Sequence, residues 1–162
     1  MSKKILFLAI IIISISFCSA QHFGVGLIIG SPTGLTGKFI ITQRSAVAVN
    51  VGWNLFGTPK RLHITGDYQF LFPTVLHWTD DMTGEERRIK GLTPYLGIGG
   101  RFKFVDNEAD DETELRIGLR LGGGAEYKIS RFGIFLELYP VVDILPGTDF
   151  DFEGGLGARF YF

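Results

Sequence analysis

Apolar residues alternating with period two along eight segments, an opposite face crowded with glycine and charge, and aromatics gathered at segment ends predict an all-β chain. The expected form is an eight-stranded antiparallel up-and-down transmembrane β-barrel. The 162 residues include 22 Gly and 15 Phe, a mixture that suits closely approaching strands and gives little sign of amphipathic helix. A formal charge of −1 excludes nucleic-acid binding driven by charge.

The first twenty residues stand apart. Ser2-Lys3-Lys4 are basic, residues 5–17 are almost wholly apolar, and Cys18-Ser19-Ala20 end on a small residue. This is the order of a secretory signal peptide, expected to be cleaved after Ala20 to leave a barrel domain over 21–162. The apolar run is shorter than the roughly 20 residues of a spanning helix. Cys18 allows a second reading, a lipoprotein acylated at that cysteine, but Phe17 stands where such signals carry a small residue. With Cys18 removed no cysteine remains, so disulfides, thiol catalysis and thiolate-bound metal drop out together.

The strands follow in order. Phe23, Val25, Leu27 and Ile29 oppose Gly24, Gly26 and Gly30, with Ile28 an exception. Leu35, Phe39 and Ile41 oppose Thr36 and Lys38, with Ile40 a second exception. Val47, Val49, Val51 and Trp53 oppose Ala48, Asn50 and Gly52. Leu62, Ile64, Tyr68, Phe70 and Phe72 oppose His63, Thr65, Asp67 and Gln69. Over 93–104, Pro94, Leu96, Ile98, Phe102 and Phe104 oppose Tyr95, Gly97, Gly99, Arg101 and Lys103. Over 114–128, Leu115, Ile117, Leu119, Leu121, Ala125 and Tyr127 oppose Arg116, Gly118, Arg120, Gly122, Gly124 and Glu126. Phe132, Ile134, Leu136 and Leu138 oppose Gly133, Phe135, Glu137 and Tyr139. The last segment sets Phe152, Leu156, Ala158, Phe160 and Phe162 against Glu153, Gly155, Gly157, Arg159 and Tyr161.

Short turn-like links at 31–34, 43–45 and 129–131 suit hairpins. With both termini in the periplasm, the longer links at 56–60, 105–113 and 146–151 all fall on the exterior side, the usual asymmetry of such barrels. The stretch 73–91 is long yet periplasmic, and is expected to extend its flanking strands as a hairpin around Met82-Thr83-Gly84.

Alternation alone also fits a soluble lipocalin-like calyx with its apolar face inward. Three features favour the membrane form. Glycine crowds the polar face, as a narrow interior requires. Lys38, Arg101, Lys103, Arg116, Arg120 and Arg159 nearly balance Asp67, Glu126, Glu137, Asp143 and Glu153, as charges enclosed together must. Phe70/Phe72, Phe102/Phe104 and Phe160/Phe162 suggest interfacial girdles. On this reading Arg101, Arg116, Arg120 and Arg159 meet Asp67, Glu126, Glu137 and Glu153 in a lumen network. The network either plugs the barrel or lines an anion recess or narrow pore.

The final strand, residues 154–162 ending in Phe160-Tyr161-Phe162, resembles the C-terminal signal of outer-membrane barrels. The resemblance implies recognition of Phe160 and Phe162 by the barrel-assembly machinery. Residues 29–38 (Ile-Gly-Ser-Pro-Thr-Gly-Leu-Thr-Gly-Lys), 94–101 (Pro-Tyr-Leu-Gly-Ile-Gly-Gly-Arg) and 135–140 (Phe-Leu-Glu-Leu-Tyr-Pro), with Asp143 and Pro146 following, resemble an uncharacterised family of small bacterial outer-membrane barrel proteins. That resemblance covers nearly the whole mature chain, least at 73–91, and implies an OmpA/OmpX-sized barrel in the cell outer membrane with no established activity.

Catalytic groups are sparse. The histidines are His22, His63 and His77. His63 and Asp67 share a face but lie roughly 13 Å apart by strand rise, and no serine partner presents itself. His63 therefore reads as a lumen hydrogen-bonding residue. The acidic run 106–112 lacks an EF-hand's glycine and spacing, and is expected to be a solvated outer loop. The basic run Arg87-Arg88-Ile89-Lys90 suits either solvent or periplasmic headgroups. Gly122-Gly123-Gly124 reads as a sharp bend in a strand. No cofactor or metal site is expected. The leading expectation is a monomeric, non-enzymatic outer-membrane protein whose partners are outer-membrane lipid and, during insertion, the assembly machinery. It would serve envelope structure or surface interaction through its external loops. A lipid-modifying or ligand-binding barrel, or a narrow channel, is the alternative.

Overall fold

The computed structural model describes residues 22–54, 61–79, 86–107 and 112–162. The expected leader, the 56–60 link, the Met82-Thr83-Gly84 turn and the middle of the acidic link lie outside the described residues.

Nine strands form among them: β1 (Phe23–Gly30), β2 (Gly34–Thr42), β3 (Ser45–Asn54), β4 (Arg61–Leu71), β5 (Thr74–Thr79), β6 (Glu86–Asn107), β7 (Glu112–Ile129), β8 (Phe132–Leu145) and β9 (Asp149–Tyr161). Each pairs antiparallel with its successor except that β4 passes over β5 to join β6, while β1 joins β9. Those two pairings close eight strands into an up-and-down barrel and leave β5 outside it. Closure satisfies the backbone within the sheet and leaves the barrel no free edge, which is the condition for standing in hydrocarbon.

The orientation of the two faces follows from exposure. Leu27, Ile29, Leu119 and Leu121 are 63, 73, 62 and 66 % exposed, whereas Arg101, Arg120 and Arg159 are each 1 % exposed. The greasy face is therefore the outer wall and the charged face lines the lumen. A wall of such continuous apolar surface is incompatible with a protein dissolved in water, and the calyx reading is excluded.

The two breaks in alternation have separate causes. Ile28 points inward and is buried, lying over Gly155, where a Cβ would collide with its side chain. Ile40 is half-buried against Ala46, Leu71 and Tyr95, an apolar cluster at the lumen end nearest the termini. The expected Gly122-Gly123-Gly124 run lies inside a strand. β7 runs unbroken through them, and two of the glycines give flat ground for rings: a Cβ on Gly122 would strike Tyr139, and one on Gly124 would strike Tyr95.

Strands β8 and β9 run past their expected ends, so the 146–151 link shrinks to three residues between Leu145 and Asp149. The long 73–91 stretch forms β5 paired with the first part of β6, Leu76 opposite Ile89 and Thr79 opposite Glu86. A bulge at Lys90 and Gly91, where Gly91 has φ +98°, sets this ribbon off from the barrel wall.

Candidate functional site in the barrel lumen

Register explains how charges on different strands meet. One inward row runs Thr36, Asn50, Thr65, Arg101, Gly118, Asp143 across β2, β3, β4, β6, β7 and β8. With no side chain at Gly118, Arg101 crosses β7 and binds Asp143 twice, Nε to Oδ1 at 2.9 Å and Nη2 to Oδ2 at 2.6 Å. Gly99 likewise separates Asp67 from Arg120, and Gly26 separates Thr36 from Arg159. Arg159 reaches over that glycine to donate twice to Thr36 Oγ1, at 3.0 and 2.8 Å.

Three tiers result. In the tier toward the exterior, Arg101 also donates to Asp151 at 2.7 Å and Glu153 at 2.6 Å, and Lys103 lies 3.5 Å from Asp151. In the middle tier, Arg120 donates to the other oxygen of Glu153 at 2.8 Å and packs on the Tyr139 ring, 4.0 Å from its centroid. Its Nε lies 2.9 Å from Asp67 Oδ1, an ion contact off the N–H axis rather than a hydrogen bond. In the tier near the termini, Lys38 donates to Glu126 at 2.7 Å, Tyr161 donates to the same carboxylate, and Arg159 Nη1 stands 3.8 Å from it. Glu137 joins the lower two tiers: Arg120 lies 3.7 Å from it, Asn50 donates at 3.3 Å and Tyr95 at 3.1 Å.

Asp67, Arg101, Arg120, Glu126, Glu137, Glu153 and Arg159 are all buried, and they form one connected set because Lys38 lies over the Tyr95 ring, 4.7 Å from its centroid, and Tyr95 bonds Glu137. Arg116 is not in it. It sits at the outer mouth on Glu114, 2.8 Å away and with both side chains about two-fifths exposed, because its place on β7 lies beyond the enclosed part of the lumen. His63 is buried with Nε2 3.0 Å from Glu153, a close contact without hydrogen-bond alignment, and Asp67 turns to Arg120 instead. Asp151, assigned by sequence to a loop, is a network member because β9 begins earlier than its apolar alternation. The lumen tyrosines were legible only as positions on the polar face; their hydroxyl contacts were not. Among the described residues no group of three His, Cys, Asp or Glu is arranged to hold a metal ion.

A closed eight-stranded barrel with aliphatic residues outside and paired charges inside is an integral outer-membrane β-barrel. Among solved structures, the chain is similar to the N-terminal β-barrel domain of Pseudomonas aeruginosa OprF, with TM-score 0.64 and 18 % identity over 89 % of this chain and all of that one. It is also similar to Neisserial surface protein A (NspA), with TM-score 0.51 and 16 % identity over 89 % of this chain and 99 % of that one. No family model matches the chain, and no curated protein matches it.

Proposed function

We propose that this protein is a non-enzymatic, monomeric component of the outer membrane that serves envelope structure or surface interaction through its external links. The observation that supports this reading is the sharing of Glu153 among Arg101, Arg120 and His63, at 2.6, 2.8 and 3.0 Å. The residues best equipted for chemistry are bound to one another across the lumen. Residues 1–20 act as the export leader, and the chain end formed by β9 with Phe160 and the following Phe162 is the segment read by the assembly machinery.

The test is reconstitution of the purified barrel in planar bilayers, beside incubation with phospholipid and lipopolysaccharide substrates. Electrical silence and unchanged lipids are expected. Steady unitary conductance, or turnover abolished by Glu153→Gln, would overturn the reading.

A further inference from the structure

The rim that carries the termini is stepped. The β2–β3 turn ends at Gln43 and Arg44, whereas β4 runs on through Leu71, and Phe72 N still bonds Pro94 O at 2.8 Å before the β5–β6 ribbon begins. The step leaves a hollow of about 490 Å³ on the outer wall, lined by Arg44, Phe70, Leu71, Phe72, Pro73 and Leu96. Its size lies within the ~300–1,000 Å³ of small-ligand sites. Phe70, Phe72 and Leu96 are exposed on the lipid side. Arg44 stands at its edge, exposed, tied by its backbone to Thr42 and Leu71, and its guanidinium has no acidic partner among the described residues.

We infer that this hollow binds one glycerophospholipid of the periplasmic leaflet, with the phosphate on Arg44 and the upper acyl chain against Phe70, Phe72 and Leu96. Three observations carry it. The planar guanidinium matches a phosphate in two parallel hydrogen bonds, and it sits where apolar wall gives way to the rim, the depth of the headgroups. No acidic side chain lines the hollow. A further cation, Lys90, stands exposed on the adjoining ribbon. The carboxylate of Phe162 follows β9, two strands around the barrel from β2, whose turn into β3 carries Arg44.

Native mass spectrometry of the full barrel in detergent tests this, with phosphatidylglycerol titrated against wild type, Arg44→Gln and Arg131→Gln, the last altering another exposed arginine of the same rim. One saturable lipid adduct is expected, weakened about tenfold by Arg44→Gln, the equivalent of one charge-assisted hydrogen bond, and unchanged by Arg131→Gln. Diacylglycerol with the same chains should bind at least tenfold more weakly, and inorganic phosphate at equal concentration should not displace the lipid. These two arms need no variant. Equal uptake by Arg44→Gln, equal loss in Arg131→Gln, equal binding of diacylglycerol, or displacement by phosphate would each overturn the inference. Silent bilayers and inert lipid substrates bear on the proposed function and leave this result independent.

Discussion

Arg101 and Asp143 are bound to each other from strands that do not pair, across Gly118 in the row between them. The glycine's missing side chain is the passage. A Cβ there would stand 2.5 Å from Asp143 Oδ1 and 3.0 Å from Val141. Gly118→Ala is therefore expected to destabilise the barrel by about 1–3 kcal/mol, in the range of overpacking a close-packed site. Urea unfolding in lipid vesicles measures this. In an Asp143→Ala background the same change should cost less, since the atom it displaces has gone.

Glu153 is the carboxylate on which the outer and middle tiers converge. Glu153→Ala leaves Arg101 and Arg120 enclosed with one acceptor fewer each, and should cost about 3–5 kcal/mol. The heat-modifiability transition should fall accordingly. Glu114→Ala, breaking the half-exposed pair with Arg116, is the contrast and should move stability by less than about 1 kcal/mol.

The outer wall gives a prediction of opposite sense. Leu121 lies near the middle of β7 and points to lipid. Leu121→Arg should cost about 2–4 kcal/mol at that depth. Refolding into bilayers should reveal the loss; an unchanged midpoint would mean that this face does not meet hydrocarbon.

The proposed assembly role of the last residue separates kinetics in the cell from stability in the tube. The Phe162 ring meets Phe160 edge-on, 5.2 Å between centroids. Phe162→Ala should forfeit only about 0.5–1.5 kcal/mol of this aromatic contact. Its larger effect should be a several-fold lower yield of assembled barrel in cells, compared with near-normal refolding of the purified chain. Equal losses in both settings would remove the signal role.

Period-two alternation by itself determined the strands and which residues share a face, because a pleated strand sends successive side chains to opposite sides whatever surrounds it. It was enough to place Asp67, Arg101, Arg120, Glu126, Glu137, Glu153 and Arg159 together on the polar face. It could not say that Arg116 stops short of the lumen, that Asp151 enters it, or that Gly122 and Gly124 are seats for Tyr139 and Tyr95. Those outcomes depend on stagger between strands, which sets the height at which each side chain stands and which glycine lies between two charges. Stagger is a property of the closed barrel, and only the tertiary structure supplied it.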